Sequence, residues 1–217
     1  IAEGCTCRAP GPPCEAVWTV PYVFTGIVQQ IRVEPTRRSV TFRVERVWRH
    51  DRPGEPLPAI LTVATGRDPG SGDCGYPFEH GRAYLVYAER GGIYKAPLTT
   101  HICTRTRPIE DAGDDLAYLA GVEFGAHATR VFGHVHLPDE HGGWRRFPSA
   151  PLELHRGDDV WAAEADEEGF FEFVNLPPAR YYVFVRDHLV AGDPPVARIE
   201  HPSACAHLDL RVRPPRP

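Results

Sequence analysis

The sequence predicts an all-β chain with one or two short helices, folded as two domains. Three observations carry that prediction. Short runs of alternating apolar residues recur along the 217 residues, separated by Gly-, Pro- and Asp-containing turns, which is the rhythm of sandwiches and barrels. Six cysteines, an even number, permit a fully paired framework. Only one stretch, 109–120, has the marks of a helix. The length accommodates one large domain or two small ones, and the change of rhythm near 122–128 divides the chain into domains 1–122 and 128–217.

In the first half, 22–33 reads as a strand, apolar on both faces at its start, with Gly26 marking a bend. In the strand 39–48, Val40, Phe42 and Val44 alternate, and the apolar positions then slip to Val47 and Trp48. Such a slip without a break predicts a β-bulge near Glu45–Arg46. Strands follow at 59–65 and 82–89, with a fifth within 93–104. The predicted helix 109–120 has Asp111 as its cap, acids in its first turns and Gly121 as its stop. The second half predicts strands at 129–137, 151–156, 159–165, 170–174, 180–187 and 206–213, a small sandwich. Its turns are His141-Gly142-Gly143, Arg156-Gly157-Asp158, Glu168-Gly169 and Leu176-Pro177-Pro178.

Composition narrows the function. A net charge of −5 argues against a nucleic-acid partner, and no apolar run reaches membrane-spanning length, so no membrane insertion is expected. The chain has no methionine, and is expected to have been cut from a longer precursor, most simply by removal of a signal peptide. Disulfides persist in oxidising compartments. The expected location is therefore secreted, extracellular or at the cell surface, with the periplasm also allowed. The cysteine spacing matches no zinc or haem motif.

Cys5-Thr6-Cys7 is the most informative segment. In extended chain, residues i and i+2 point the same way, so both cysteines are expected to face the protein body and Thr6 to face out. Bolted to distant partners, this segment would form a rigid exposed ridge, preorganised for binding.

The order Cys5-Thr6-Cys7, Val23-Phe24-Thr25-Gly26-Ile27-Val28, Phe42-x-Val44-x-x-Val47-Trp48, Cys74-Gly75-x-x-Phe78-x-x-Gly81-x-x-Tyr84-Leu85-Val86-Tyr87-Ala88 and Cys103-x-Arg105-Thr106 resembles the netrin-like module, the fold of tissue inhibitors of metalloproteinases. The resemblance covers about residues 5–120. It implies an OB-like five-stranded barrel with flanking helices and disulfides Cys5–Cys74 and Cys7–Cys103. Loops of that size correspond to about 4–5 kcal/mol per bridge as an upper figure in the chain-entropy model. In that family the first cysteine is the mature N-terminus, and its amino and carbonyl groups bind the protease zinc. Here Ile1-Ala2-Glu3-Gly4 precede Cys5, which puts inhibition by chelation in doubt. Cys14 and Cys205 remain once the family pairs are made. A bridge between them is the expectation, while pairing with a neighbouring molecule or burial as thiols stays open.

The stretch Asp166-Glu167-Glu168-Gly169-Phe170-Phe171-Glu172-Phe173-x-x-Leu176-Pro177-Pro178-Ala179-x-Tyr181 resembles prealbumin-like modules of surface adhesins and carboxypeptidase regulatory domains. That resemblance spans roughly 128–213 and implies a spacer or binding domain.

Other constellations favour ordinary readings. Gly70-Ser71-Gly72-Asp73-Cys74-Gly75 lacks the strand–turn–helix context of a serine nucleophile. His134-x-His136, near Asp139, Glu140 and His141, could hold a transition metal, but a solvated strand face explains it more simply. Asp166-Glu167-Glu168 lacks EF-hand spacing and reads as a polar hairpin turn. Arg37, Arg38, Arg43, Arg46 and Arg49 could meet an anionic polymer, yet Glu34, Glu45 and Asp51 interrupt them. Trp48 is expected in the barrel core, and Trp144 is the best tryptophan for an exposed anchor.

The resulting expectation is a secreted, non-catalytic protein-binding module, with inhibition of a protease as one form. The alternative is a structural or adhesive subunit of a cell-surface or extracellular assembly, compatible with homo-oligomerisation. The expected partner is another protein, a protease or an assembly subunit. The expected surface is Cys5, Thr6, Cys7, Arg8, Asp73 and Cys74. No catalytic residue, metal or cofactor is expected.

Overall fold

The computed structural model describes residues 5–7, 10–52, 58–67, 73–91, 96–191 and 195–214. The chain is all-β apart from short helices, and it divides into two compact units, Ile1–Ala120 and Gly121–Pro217.

The first unit opens with helix α1 (Pro13–Thr19), which sequence reasoning missed. Pro13 suits a first helical position because its missing N–H would have no partner there. The helix buries Cys14, Ala16 and Val17. Six strands follow: β1 (Tyr22–Val33), β2 (Arg38–His50), β3 (Ile60–Thr65), β4 (Ala83–Gly91), β5 (Ala96–Thr99) and β6 (Arg107–Pro108). β1 pairs antiparallel with β2 on one side and with β4 on the other. The order β1-β2-β3-β5-β4 thereby returns to β1, a closed five-stranded barrel with β6 beside β4. The start of β1 is buried on both faces: Val23, Phe24 and Val28 are fully buried.

The barrel core gathers Phe24, Val28, Val40, Phe42, Val63, Phe78, Tyr84 and Val86. Phe42 meets Phe24 and Phe78 edge-to-face, at centroid distances of 5.5 and 5.2 Å, the geometry favoured by ring quadrupoles. The β2 register opposite β1 jumps from Val44 to Arg46 and from Val47 to Arg49. Glu45 is thus an extra residue where the apolar slip predicts one, and Trp48 is a second. Gly26 lies opposite Val44 beside the first jump, and a Cβ there would sit 2.9 Å from the Arg43 carbonyl oxygen. No side chain fits at that bend.

The expected helix 109–120 is corrected in detail. A 3-10 turn occupies Ile109–Asp111, and α2 runs Gly113–Glu123. Gly121 does not stop it. The stop is Gly125, whose φ of 64° is the left-handed conformation that ends helices. Among the described residues no helix is long and apolar enough to cross a membrane.

The second unit contains β7 (Arg130–Pro138), β8 (Trp144–Arg146), β9 (Pro151–Arg156), β10 (Asp159–Glu164), β11 (Phe170–Val174), β12 (Ala179–Val185), β13 (Leu189–Val190), β14 (Val196–Ile199) and β15 (Cys205–Arg213). They form two sheets, β10-β9-β12-β14 and β11-β7-β15-β13, with β8 on β7. All pairs are antiparallel except β7 with β15. Strict alternation places Tyr181, Val183 and Val185 of β12 inside and Tyr182 and Phe184 outside. Leu152, Leu154, Phe171, Ile199 and Leu210 complete the core of this β-sandwich. β8, β13 and β14 lie outside the predicted strands. They have only 3, 2 and 4 residues, too few to show a period.

Candidate functional site

Residues 5–7 belong to no strand; they are held by two disulfides. Cys5 joins Cys74 and Cys7 joins Cys103, with Cα separations of 5.3 and 5.1 Å, inside the normal range. The bridges are neighbours: the Cys5 Sγ lies 3.8 Å from that of Cys103. These sulfurs are spent in disulfides and do not form a metal site. Thr6 is exposed, as expected of the residue between two anchors. Cys7 is exposed too, and Cys5 half-buried, which corrects the expectation that both face the body. Without strand pleating, the i, i+2 rule does not orient this segment. Arg8 lies outside the described residues, as does Ser71.

On the opposite side of the first bridge, Asp73 braces a turn. Its carboxylate accepts hydrogen bonds from the Arg67 N–H at 2.5 Å and the Gly75 N–H at 3.2 Å. Cys74 takes a left-handed φ of 57°, and its carbonyl accepts from the Ile102 N–H at 3.0 Å. The Cys103 N–H donates to His101 Nδ1 at 3.2 Å, so both partners of the ridge cysteines sit on hydrogen-bonded backbone.

Beneath it lies a polar network that sequence reasoning did not find. Arg105 donates from Nε to one Asp115 oxygen at 2.7 Å and from Nη2 to the other at 2.8 Å. Asp115 is fully buried. The Tyr87 hydroxyl donates to the same carboxylate at 2.5 Å, and Arg105 Nη1 donates to the Gly11 carbonyl at 2.8 Å. Burial, then the Asp115 charge, pushes the Tyr87 phenol well above its ordinary range. Arg105 thus ties the segment after the ridge to α2. A cleft of about 160 Å³ opens alongside, lined by Pro10, Gly11, Glu15, Glu89, Cys103 and Arg105 among others. On its wall, the His101 imidazole, with Nε2 3.6 Å from a Glu89 oxygen, holds the Glu89 carboxyl below its usual value. The polar groups of the network are bonded to one another. The sequence shows Asp115 only as one of the acids that mark the helix start.

The second unit offers a different surface. On the outer face of the β10-β9-β12-β14 sheet, Val160, Tyr182 and Phe184 are 52, 38 and 45% exposed. The register sets Val160 and Tyr182 on either side of His155, and Phe184 beside Glu153. The His155 and Phe184 rings meet at 4.8 Å. Glu153 accepts from Arg186 at 2.8 Å and lies 3.0 Å from His155 Nε2, contacts that hold its carboxyl below the usual range.

The remaining candidates fall as follows. Asp166 accepts from the Glu168 and Phe170 N–H groups, both at 2.9 Å, and is a hairpin brace. Asp139 accepts from the His141 and Gly143 N–H groups and braces the next turn. The arginine strip is dispersed: Arg37 pairs with Glu34, Arg43 with Glu45, Arg46 stacks on Trp48 at 3.9 Å, and Arg38 and Arg49 donate to backbone carbonyls. Trp48 is half-buried rather than core, because the bulge turns it toward Arg46. Trp144 is half-buried under Arg211, at 5.3 Å. Cys14 and Cys205 are both buried, and no free cysteine occurs among the described residues.

No protein-family model and no curated protein matches the chain. Solved structures show a weak likeness. The minor pilin GBS52 of Streptococcus agalactiae is similar at a TM-score of 0.32 and 10% identity, over 90% of this chain and 98% of that one. The major pilin subunit BcpA of Bacillus cereus is similar at 0.32 and 9%, over 89% and 59%. The Bacillus anthracis TIE protein is similar at 0.32 and 11%, over 88% and 41%. Likeness at this level carries no argument about what the chain does.

Proposed function

We propose that this chain is a non-catalytic binding protein of an oxidising extracellular compartment, acting as an adhesive or structural subunit that contacts another protein. The observation that carries the proposal is the segment Cys5-Thr6-Cys7, held by two disulfides with Thr6 exposed. A segment fixed before contact loses little entropy on binding. Disulfides also favour a secreted or cell-surface location. The buried polar groups beneath the ridge bond one another, which makes the ground under the segment rigid. The closed strand circuit with its two bridges fits a netrin-like OB barrel, and the two-sheet unit fits a prealbumin-like sandwich.

Assembly is preferred to protease inhibition because the second unit offers a contact surface of its own. The exposed Val160, Tyr182 and Phe184 add a second contact surface, since grouped apolar side chains on a sheet face mark interaction sites.

The test is site-specific photo-crosslinking in the source organism, with a photo-reactive amino acid at position 6, 184 or, as control, 158. A discrete protein adduct from position 6 supports the ridge, and one from 184 supports the sheet face. Equal adducts from all three, or none from 6 and 184, would overturn the proposal. Inhibition of a metalloproteinase by the purified chain, lost in Thr6→Arg, would return the inhibitor reading.

A further inference from the structure

We propose that His134, His207 and Asp209 form a binding site for a divalent transition-metal ion of the zinc class on the outer face of the β11-β7-β15-β13 sheet. The site uses no residue of either contact surface described above, and nothing in the proposed function requires it.

The geometry follows from the parallel pairing of β7 with β15. Asp209 lies opposite His134 and His207 opposite Phe132. Positions two apart on a strand share a face, so His134, His207 and Asp209 emerge on the same side of the sheet. One ligand atom from each falls within 4.8 Å of the others. His134 Nδ1 is 3.8 Å and His207 Nε2 is 3.9 Å from Asp209 Oδ1. Tetrahedral zinc with ligands at 2.0–2.1 Å sets ligand atoms roughly 3.3 Å apart. Closing that difference needs side-chain rotation and no shift of the strands.

The chemistry of the donors selects the ion. Two imidazoles and one carboxylate suit zinc, nickel or copper and disfavour calcium, which takes six to eight oxygens. Three protein ligands leave a coordination position for water or another donor. Phe132 lies 5.2 Å from the His207 ring and Phe170 5.5 Å from the His134 ring, flanking the imidazoles with apolar surface. Neighbouring cations are engaged elsewhere. Arg211 stacks on Trp144, Arg130 covers Phe132 and pairs with Glu172, and Arg146 lies 2.9 Å from His136 Nε2. That last contact also draws His136 away from the cluster. Among the described residues the Asp209 carboxylate accepts no hydrogen bond, so binding a metal breaks none there.

The test is titration calorimetry of the full chain, freed of metal with a chelator, using zinc chloride at neutral pH and calcium chloride as control. Zinc should bind at one equivalent and calcium should not bind at this site. His207→Ala and Asp209→Asn should each weaken zinc binding roughly tenfold or more, while His188→Ala should leave it unchanged. In imidazole NMR spectra of the unaltered chain, zinc should perturb the His134 and His207 ring signals first, a readout independent of whether any variant folds. Failure of the unaltered chain to bind zinc, equal binding by the His207→Ala/Asp209→Asn double variant, or perturbation confined to other histidines would overturn the proposal.

Discussion

Arg105 grips Asp115 with two hydrogen bonds, of 2.7 and 2.8 Å, at a point where the carboxylate has no exposed surface. The pair anchors the chain that leaves the ridge, because the same guanidinium also holds the Gly11 carbonyl. Removing one partner strands the other charge in a low-dielectric site, which costs far more than the net worth of the intact pair.

Asp115→Asn should therefore destabilise the protein by about 3–5 kcal/mol, read as a shift of the urea midpoint at constant slope. A loss below about 1 kcal/mol, the scale of exposed pairs, would show that the pair contributes no more than a surface one.

Tyr87 predicts an alkaline limit. Its phenol pKa is raised in the folded chain by burial, then by Asp115. Stability from such a group is complete below the ordinary tyrosine value near 10 and is lost as pH rises toward the folded value. Denaturation midpoints should fall above about pH 10, and Tyr87→Phe should flatten that fall. Tyr76, raised to about 12 by burial, then by Tyr84, should leave part of it in place. An unchanged slope in Tyr87→Phe would reject the assignment.

Glu89 predicts the opposite sign. Its carboxyl is held below the ordinary range chiefly by the His101 imidazole 3.6 Å away. The stability it contributes is present above the ordinary carboxylate value and is lost as pH falls through the lowered one. Carbon-detected NMR titration should show Glu89 titrating below an ordinary glutamate, and His101→Ala should bring it back up. No upward movement in that variant would exclude His101 as the cause.

The two bridges should be unequal and non-additive. They span 69 and 96 residues, so the chain-entropy model gives each about 4–5 kcal/mol at most, slightly more for Cys7–Cys103. The loops overlap. Each bridge shortens the loop the other closes, so removing both pairs by serine substitution should cost more than the two single losses together, as measured by thermal unfolding. Strict additivity would contradict a shared loop.

Much of the strand layout was legible because it is local. Side chains alternate every residue, so β12 shows its inner Tyr181, Val183 and Val185 against outer Tyr182 and Phe184 in a seven-residue window. The bulge at Glu45 was legible for the same reason, since an extra residue shifts the alternation in place. Elements too short to show a period were not: α1 and the brief strands β8, β13 and β14 are set by what they pack against. The ridge proposed for binding was half legible. Its cysteines and the exposure of Thr6 follow from the motif, while the outward position of Cys7 and the bracing role of Asp73 depend on turns the motif does not describe.

What the sequence by itself determined is the all-β class, the order of the main strands and the cysteine framework that makes a rigid segment at Thr6. What only the tertiary structure decided is which distant side chains meet. Asp115 is one of several acids at a helix start until α2 folds it against Arg105 and Tyr87. His134 reads as one of a pair with His136 until parallel pairing of β15 with β7 sets Asp209 opposite it and His207 beside it. The physical reason is the same in both cases: side-chain periodicity is a property of neighbouring residues, whereas the register between segments far apart in the chain is chosen by burial and pairing of the whole sheet.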